Sequence, residues 1–301
     1  MNLETRPRRS ALYLPASNPR AVVKARTVAC DVVILDLEDA VLPEAKPGAR
    51  RAVVEAILAG GFGPREVVAR VNALDTPWGE DDLAAVAAAG PDGVLVPKIA
   101  GPADIAAYHR ALKAAPARTR LWVMIETAAA IFALDAIAAT SATTRLGALV
   151  MGVNDLAREM GARHTPGRAP FLAALSLAVT AARAHGLAIL DGVHNEIDDL
   201  AALDAVCRQG AEFGFDGKSL IHPRHVEICN RRFSPAPAEV AWARAVISAF
   251  ADPANAGKGA LRVDGRLAER LHRDAAVRLV ALAEAVAARD QGAGRNEDGQ
   301  P

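Results

Sequence analysis

The sequence predicts an eight-stranded β/α barrel of the TIM type with a C-terminal helical extension. Short apolar, β-branched runs alternate with Ala-rich helical segments, which is the pattern of βαβ units. There are eight such runs, the number that closes a barrel. The chain has 301 residues, and one barrel needs about 250, so a single barrel and a short extension fit the length.

The predicted strands follow one another at the spacing of βα units. They are Ser10–Leu14, Val32–Leu37, Val67–Val71, Gly93–Val96, Leu121–Ile125, Gly147–Met151, Leu187–Leu190 and Phe213–Asp216. Several intervening helices begin with recognisable N-terminal signals, namely Asn18-Pro19, Pro77 and Gly101-Pro102.

The pattern changes after Phe233. Residues 234–237, Ser-Pro-Ala-Pro, break the chain, and two helical patterns follow at about 239–250 and 266–289 with no further strand. The Gly- and Ala-rich residues 252–265 predict a flexible hinge, and the polar residues 290–301 predict a disordered tail. We therefore expect a catalytic barrel at 1–233, a helical lid or oligomerisation segment at 234–289, and a tail at 290–301.

Charge and cysteine content exclude several classes of function. Lys plus Arg (35) cancels Asp plus Glu (35), so no global field favours nucleic acid or an anionic membrane as a partner. Cys30, Cys207 and Cys229 lie far apart in the sequence, which argues against a zinc site, a redox pair or a disulfide framework. With no signal-peptide pattern and no run of about 18 apolar residues, the sequence predicts a cytoplasmic protein.

Polar side chains follow seven of the predicted strands. Active sites of such barrels form at the carboxyl ends of the strands, so these residues are the candidates for function. They are Asp36, Glu38 and Asp39; Arg70 and Asn72; Lys98; Glu126 and Thr127; Asn154 and Asp155; Asp191; and Lys218 and His222.

Glu126 and Asp155 predict a metal site. They follow neighbouring strands, which lie about 5 Å apart, so their carboxylates can converge on one cation. Two carboxylates completed by water and substrate oxygens are typical of Mg2+. The alternative is that Glu126 caps the next helix and Asp155 hydrogen-bonds a loop.

Arg70 and His222 each allow two interpretations. Arg70 lies at the end of an apolar strand, where its guanidinium needs an anionic partner. That partner is either a substrate carboxylate, held by a bidentate contact, or one of Asp36, Glu38 and Asp39 in an ion pair. His222 precedes Pro223 and is either a general base or a residue that orders the loop, and the second role is favoured.

Taken together, these motifs resemble the citrate lyase β-subunit-like family of CoA-ester lyases, within the HpcH/HpaI aldolase superfamily. The resemblance covers almost the whole chain. It rests on Arg9-Ser10-Ala11-Leu12-Tyr13-Leu14-Pro15, Asp36-Leu37-Glu38-Asp39-Ala40-Val41 with Lys46 and Arg50, Arg70-Val71-Asn72, Val96-Pro97-Lys98, Met124-Ile125-Glu126-Thr127, Gly152-Val153-Asn154-Asp155, Gly214-Phe215-Asp216-Gly217-Lys218 and Ile221-His222-Pro223.

The resemblance implies a homotrimeric or hexameric enzyme that uses Mg2+, with Mn2+ as the alternative ion. Its substrates would be a small CoA thioester and a short keto-acid, with coenzyme A entering as part of the substrate. Glu126 and Asp155 would be the metal ligands and Arg70 the clamp on the substrate carboxylate. The residues that would contact the substrate are Tyr13, Lys24, Asn154, Ile221 and His222.

The C-terminal segment departs from the family pattern. Relatives carry a lid motif D-G-x-M-[IV]-D-x-P whose second Asp acts as acid/base in a neighbouring subunit, whereas this chain has Glu269 at that position and Leu271 in place of Pro. The extra methylene of Glu269 moves the carboxylate by more than about 1 Å, a misplacement that can cost about 100-fold in rate.

The leading hypothesis is a reversible Claisen-type lyase that makes or cleaves the carbon–carbon bond of a malyl-, citramalyl- or citryl-thioester, with Arg70, Glu126, Asp155 and Glu269 as catalytic residues. Three alternatives remain open. They are a malyl-CoA-type thioesterase, a CoA-independent aldolase, and a non-catalytic subunit that binds CoA esters.

Overall fold

The barrel predicted from the sequence is confirmed. The structure, a computed structural model, describes residues 6–294. Eight parallel strands close in sequential order, each hydrogen-bonded to the next and β8 to β1. They are β1 (Ser10–Pro15), β2 (Val32–Asp36), β3 (Glu66–Arg70), β4 (Gly93–Val96), β5 (Arg120–Ile125), β6 (Leu146–Met151), β7 (Ala188–Asp191) and β8 (Gly217–Leu220).

Helices connect successive strands. They are α1 (Pro19–Ala25), α2 (Lys46–Ala59), α3 (Gly79–Ala89), α4 (Pro102–Ala111), α5 (Ala128–Phe132), α6 (Leu134–Ala139), α7 (Val153–Met160), α8 (Leu172–Ala184), α9 (Leu200–Phe213) and α10 (Val226–Arg232). The helix start predicted at Asn18-Pro19 holds because its cap forms: the Asn18 side chain accepts hydrogen bonds from the N–H groups of Arg20 and Ala21.

Alternation along the strands divides the core into two layers. One face packs against the helices and includes Leu12, Val33 and Leu35 together with helical residues. The other face fills the barrel interior with side chains from strands alone. The interior set is Ala11, Val32, Ile34, Val68, Leu95, Trp122, Met124, Ala148, Val150 and Leu190.

The eighth strand was wrongly predicted. Phe213 is the last residue of α9, Gly214 ends that helix with a left-handed φ of 93°, and the strand begins only at Gly217. The strand contains Lys218, which an apolar pattern does not favour. It is tolerated in the core because its Nζ lies 2.9 Å from Asp191 Oδ2.

Arg8–Phe233 form the barrel unit, and residues 6–7 together with 234–294 belong to a second compact unit. It contains α11 (Pro237–Ala251), β9 (Ala260–Val263), β10 (Arg266–Glu269) and α12 (Arg270–Gly294). The predicted hinge is therefore partly wrong, because β9 and β10 pair as an antiparallel hairpin. Asp264 and Gly265 form its turn with φ of 48° and 82°, which an Asp-Gly pair accommodates.

The second predicted helix starts later and ends later than expected. It begins at Arg270 rather than 266 and continues to Gly294, so residues 290–294, predicted to be disordered, are helical. The rest of the predicted tail, 295–301, lies outside the described residues.

Two of the distant cysteines meet in the fold. Cys207 on α9 and Cys229 on α10 are both buried and free, with their Sγ atoms 3.3 Å apart. The spacing in the sequence did not predict this contact, which arises because consecutive βα units bring their helices side by side. Among the described residues, no helix has the length and apolar character needed to cross a membrane.

Candidate active site

A cavity of about 340 Å³ lies at the carboxyl ends of the strands. Tyr13, Asp36, Arg70 and Glu126 reach it because each lies two residues beyond an interior side chain and so shares its face. The lining residues are Tyr13, Pro15, Asp36, Asp39, Ala40, Arg70, Met124, Glu126, Met151, Gly152, Val153, Asn154, Asp155, Val193, Ser219 and Ile221.

The two predicted metal ligands converge on one cation position. Glu126 follows β5, and Asp155 lies in the first turn of α7, after β6. The ammonium of Lys98 lies between them, with its Nζ 2.6 Å from Asp155 Oδ1 and 3.4 Å from Glu126 Oε1. Arg158 also contacts Asp155 Oδ1, at 2.7 Å from Nη2, but its side chain is 78% exposed.

Glu126 is held in a tight, buried position. Its Oε1 accepts a hydrogen bond of 2.7 Å from the backbone N–H of Lys98, whereas its buried Oε2 has no hydrogen-bond partner among the described residues. A Cβ at Gly152 would lie 2.4 Å from that oxygen, so only glycine leaves room for it. The alternative that Glu126 caps a helix is wrong, because the Thr127 hydroxyl caps α5.

Burial and neighbouring charges have opposite effects on the pKa values of Glu126 and Lys98. It raises the pKa of Glu126, and the charge and backbone N–H of Lys98 offset the effect only in part. Burial also lowers the pKa of Lys98, but the hydrogen bond to Asp155 and the charges of Glu126 and Glu38 outweigh it, so the net shift is upward. The Glu126 carboxylate and the Lys98 ammonium therefore each offset part of the cost of burying the other's charge.

The donor set suits a hard cation that keeps part of its hydration shell. No group of three or more His, Cys, Asp or Glu that could enclose a metal occurs in the portion of the chain that the structure describes. Glu126 and Asp155 offer two carboxylates beside an open cavity, and Glu126 Oε2 is buried without a hydrogen-bond partner among the described residues. These donors fit Mg2+ or Mn2+, with water and substrate oxygens as the remaining ligands.

Arg70 is bound by acids at the end of β2 and in the loop that follows it. Its Nε and Nη2 donate to the two oxygens of Asp36, each at 2.7 Å, and its Nη1 lies 2.7 Å from Glu38 and 3.3 Å from Asp39. The Tyr13 ring covers the guanidinium, 4.7 Å from Cζ to the ring centre. All three guanidinium nitrogens therefore already contact acids. The structure has the predicted ion-pair arrangement and not the predicted bidentate clamp on a substrate.

One guanidinium lies beside three acids, so the positive charge of Arg70 offsets the burial of Glu38 only in part. Burial raises its pKa to about 8, the Arg70 charge opposes the shift, and Asp39 and Glu126 add to it. Asp36 takes both prongs of the guanidinium fork, and the charge of Arg70 does not cancel the effect of burial on the pKa of Glu38.

Three of the predicted substrate contacts line the cavity. The Tyr13 hydroxyl donates to Met124 Sδ at 3.4 Å, and burial raises its pKa, so it remains protonated. Asn154 exchanges two amide hydrogen bonds with Asn195, of 3.0 and 2.9 Å. Ile221 lines the cavity and is 41% exposed.

The other two predicted contacts are not among the cavity-lining residues. Lys24 is exposed in the last turn of α1. The His222 Nδ1 accepts from the backbone N–H of Arg224 at 3.2 Å, and the residue caps a short 3-10 turn. This is the loop-ordering role favoured from the sequence.

Several polar residues at the strand ends have structural roles. Lys46 Nζ donates to the carbonyls of Leu37 and Glu38 and to Asn72 Oδ1, and so fixes the loop after β2. Asp191 is buried between Lys218 and Arg168; although burial raises the pKa of its carboxyl, those cations lower it overall.

Glu269, the predicted lid acid, is the last residue of β10. Its backbone N–H donates to His272 Nδ1 at 2.9 Å across the start of α12. The hairpin that carries it was missed from the sequence, although Asp264-Gly265 is the usual two-residue turn signal. Lys98 was noticed only as a polar residue at a strand end, and its bridging position was not predicted.

A model of the family described as HpcH/HpaI aldolase/citrate lyase matches residues 9–223. The chain belongs to this family. The resemblance expected from the motifs is thereby confirmed.

Three members of the HpcH/HpaI family illustrate its range. A (3S)-malyl-CoA thioesterase of Cereibacter sphaeroides (strain KD131 / KCTC 12085) is 45% identical over 285 residues, 95% of this chain and 98% of that protein. An L-malyl-CoA/beta-methylmalyl-CoA lyase of Cereibacter sphaeroides (strain ATCC 17025 / ATH 2.4.3) is 34% identical over 290 residues, 88% of this chain and 91% of that protein. CitE from Mycobacterium tuberculosis, solved in complex with magnesium, acetoacetate and coenzyme A, is 29% identical with a TM-score of 0.74, covering 93% of this chain and 99% of that one.

Proposed function

We propose that this protein is a Mg2+-dependent thioesterase that hydrolyses (3S)-malyl-CoA or a closely similar CoA ester. The observation that carries the proposal is the 45% identity to a (3S)-malyl-CoA thioesterase over 95% of the chain, against 34% to the lyase. This replaces the leading sequence-based hypothesis, a carbon–carbon lyase, with its thioesterase alternative.

Glu126 and Asp155 are the proposed metal ligands, and Mn2+ is the expected substitute for Mg2+. The ion, when bound, would neutralise negative charge on the substrate oxygens. In support, the two carboxylates already meet at one cation position, and Glu126 Oε2 is buried without a hydrogen-bond partner among the described residues. The CitE structure contains magnesium and coenzyme A, which supports the same ligand classes here.

Hydrolysis adds water across the carbon–sulfur bond of the thioester: the hydroxyl goes to the acyl carbon and the proton to the sulfur of CoA. Tyr13, Asn154 and Ile221 line the cavity and would orient the acyl group. Arg70 would hold Asp36, Glu38 and Asp39 at the cavity rather than clamp the substrate carboxylate, because its three nitrogens already contact those acids. Exposed Lys24 and the loop at His222 would contact the CoA portion, outside the cavity.

The lyase reaction is the second candidate, because a carboxylate is retained at Glu269. In that reaction Glu269 would exchange a proton with the acetyl-CoA carbon, delivered from a neighbouring subunit of a homotrimer or hexamer. The chain carries Glu where the family motif has Asp, which favours hydrolysis over carbon–carbon cleavage in this protein.

The test is incubation of purified protein with (3S)-malyl-CoA, with Mg2+ or with EDTA. We expect metal-dependent release of free CoA thiol and malate without glyoxylate, and a loss of at least about 100-fold in Glu126→Gln. Arg158→Gln is the matched control, since it removes an exposed partner of Asp155 and should keep most of the activity. Release of acetyl-CoA with glyoxylate would identify the lyase, and no metal-dependent turnover would overturn both.

A further inference from the structure

Lys98 lies at the position proposed for the metal ion. Its Nζ is 2.6 Å from Asp155 Oδ1 and 3.4 Å from Glu126 Oε1, so it contacts one oxygen of each proposed ligand. The Glu126 side chain is 1% exposed and that of Asp155 21% exposed. An ammonium is a compact point charge with three donors, which suits a place between two carboxylates.

The side chain and the backbone of Lys98 act on Glu126 independently. The backbone has a left-handed φ of 55°, uncommon for a residue other than glycine, and it directs the N–H to Glu126 Oε1 at 2.7 Å. That hydrogen bond does not require the ammonium. The side chain is 34% exposed, so its flexible stem has solvent to move into while the backbone contact is kept.

We propose that Lys98 is a positioning residue for the metal site: its ammonium keeps Glu126 and Asp155 converged and competes with the divalent cation for their oxygens. Two carboxylates this close repel each other in a partly buried site, and a cation between them offsets the repulsion. Binding of the ion then requires the ammonium to leave, so Lys98 weakens metal affinity while it maintains the geometry of the ligands. This inference rests on the metal site of the proposed function.

The experiment measures Mn2+ binding directly. Full-length wild-type protein, Lys98→Met, Arg158→Gln and Glu126→Gln are stripped with EDTA, freed of chelator and titrated with Mn2+, with free ion measured by electron paramagnetic resonance. We expect Lys98→Met to bind Mn2+ at least about 10-fold more tightly, because the competing charge is gone and Met keeps the length of the stem. Glu126→Gln should bind no Mn2+ at this site.

Arg158→Gln is the matched control, because it also removes a cation from Asp155 Oδ1. Arg158 is largely exposed and makes no ion pair with Glu126, so its loss should change affinity less than about 3-fold. A second readout is the Tm of thermal unfolding. Without metal, the Tm of Lys98→Met should be below that of the wild type, and Mn2+ should raise the Tm of the variant more than that of the wild type.

Each result has one meaning. If the wild type binds Mn2+ and Lys98→Met binds it equally or less tightly, the competition is overturned while the metal site stands. If neither protein binds Mn2+, the metal site of the proposed function fails, and the competition with it. Should Lys98→Met be poorly folded by circular dichroism, Lys98→Gln takes its place with the same expected gain in affinity.

Discussion

Arg70 and Asp36 are joined by two parallel hydrogen bonds, Nε to Oδ1 and Nη2 to Oδ2, each 2.7 Å long. The two residues are direct partners in the register of β3 and β2. The pair is buried, and Asp36 also accepts from the backbone N–H groups of Glu38 and Ala40. It thus fixes the β2–α2 loop against the barrel.

Arg70→Met is expected to destabilise the protein by about 3–5 kcal/mol, because it leaves buried acids without their cation. Urea unfolding followed by circular dichroism measures the change. Arg224→Met is the control: its ion pair with Asp198 is exposed, so its loss should cost no more than about 1 kcal/mol. Equal losses in the two variants would contradict a structural role of Arg70.

Glu38 is expected to make stability fall as the pH rises. Its pKa is about 8 in the folded protein, above the ordinary value of 4.5, so between these values the folded state holds a proton that the unfolded state has lost. The folded state then binds more protons, and stability decreases with pH across that window. Glu38→Gln should remove this decrease.

Unfolding free energies at about pH 5 and about pH 8.5 test this prediction. Relative to the wild type, Glu38→Gln should gain stability between the two pH values, since Gln has no charge to develop. A difference between the two proteins that does not change with pH would show that Glu38 ionises normally.

Gly152→Ala is expected to lower malyl-CoA hydrolysis by about 100-fold, because its Cβ would lie 2.4 Å from Glu126 Oε2 and displace that carboxylate. The rate of CoA thiol release and the Mn2+ affinity should fall together. Gly101→Ala is the matched control, since a Cβ there meets nothing within 4 Å. If Gly152→Ala kept full activity, Glu126 would not need its observed position.

Glu269→Asp is expected to increase carbon–carbon cleavage relative to hydrolysis. The shorter side chain restores the carboxylate length of the family motif, and a correction of about 1 Å can be worth up to about 100-fold in rate. The measurement is glyoxylate released per CoA thiol released from malyl-CoA. Glu269→Gln, which has no carboxylate, should release no more glyoxylate than the wild type. An Asp variant with the wild-type ratio would exclude this residue as the determinant.

Continuous apolar runs made most of the barrel predictable, because strands buried on both faces need them. The eighth strand was predicted at the wrong residues because Lys218 and Ser219 are buried through their contacts with Asp191, which no apolar pattern reveals. The hairpin was also missed, because its strands of four residues are too short to show the two-residue alternation typical of a strand.

Within the candidate site, the convergence of Glu126 and Asp155 followed from the adjacency of parallel strands. The sequence left two partners open for Arg70, and the choice depended on the register that sets it opposite Asp36. The place of Lys98 was beyond prediction, since it depends on a left-handed φ at a residue that seldom adopts one.

The alternation of side chains along the strands has a consequence for how this barrel can diverge. Arg70 and Glu126 project inward because each lies an even number of residues from an interior side chain, Val68 and Met124. A substitution alters one position. Inserting or deleting a single residue in β3 or β5 would instead exchange the two faces for every later side chain of that strand, so that Arg70 or Glu126 would point outward, toward the helices. New chemistry can therefore evolve here by substitution or by loop growth, while the length of each strand stays fixed.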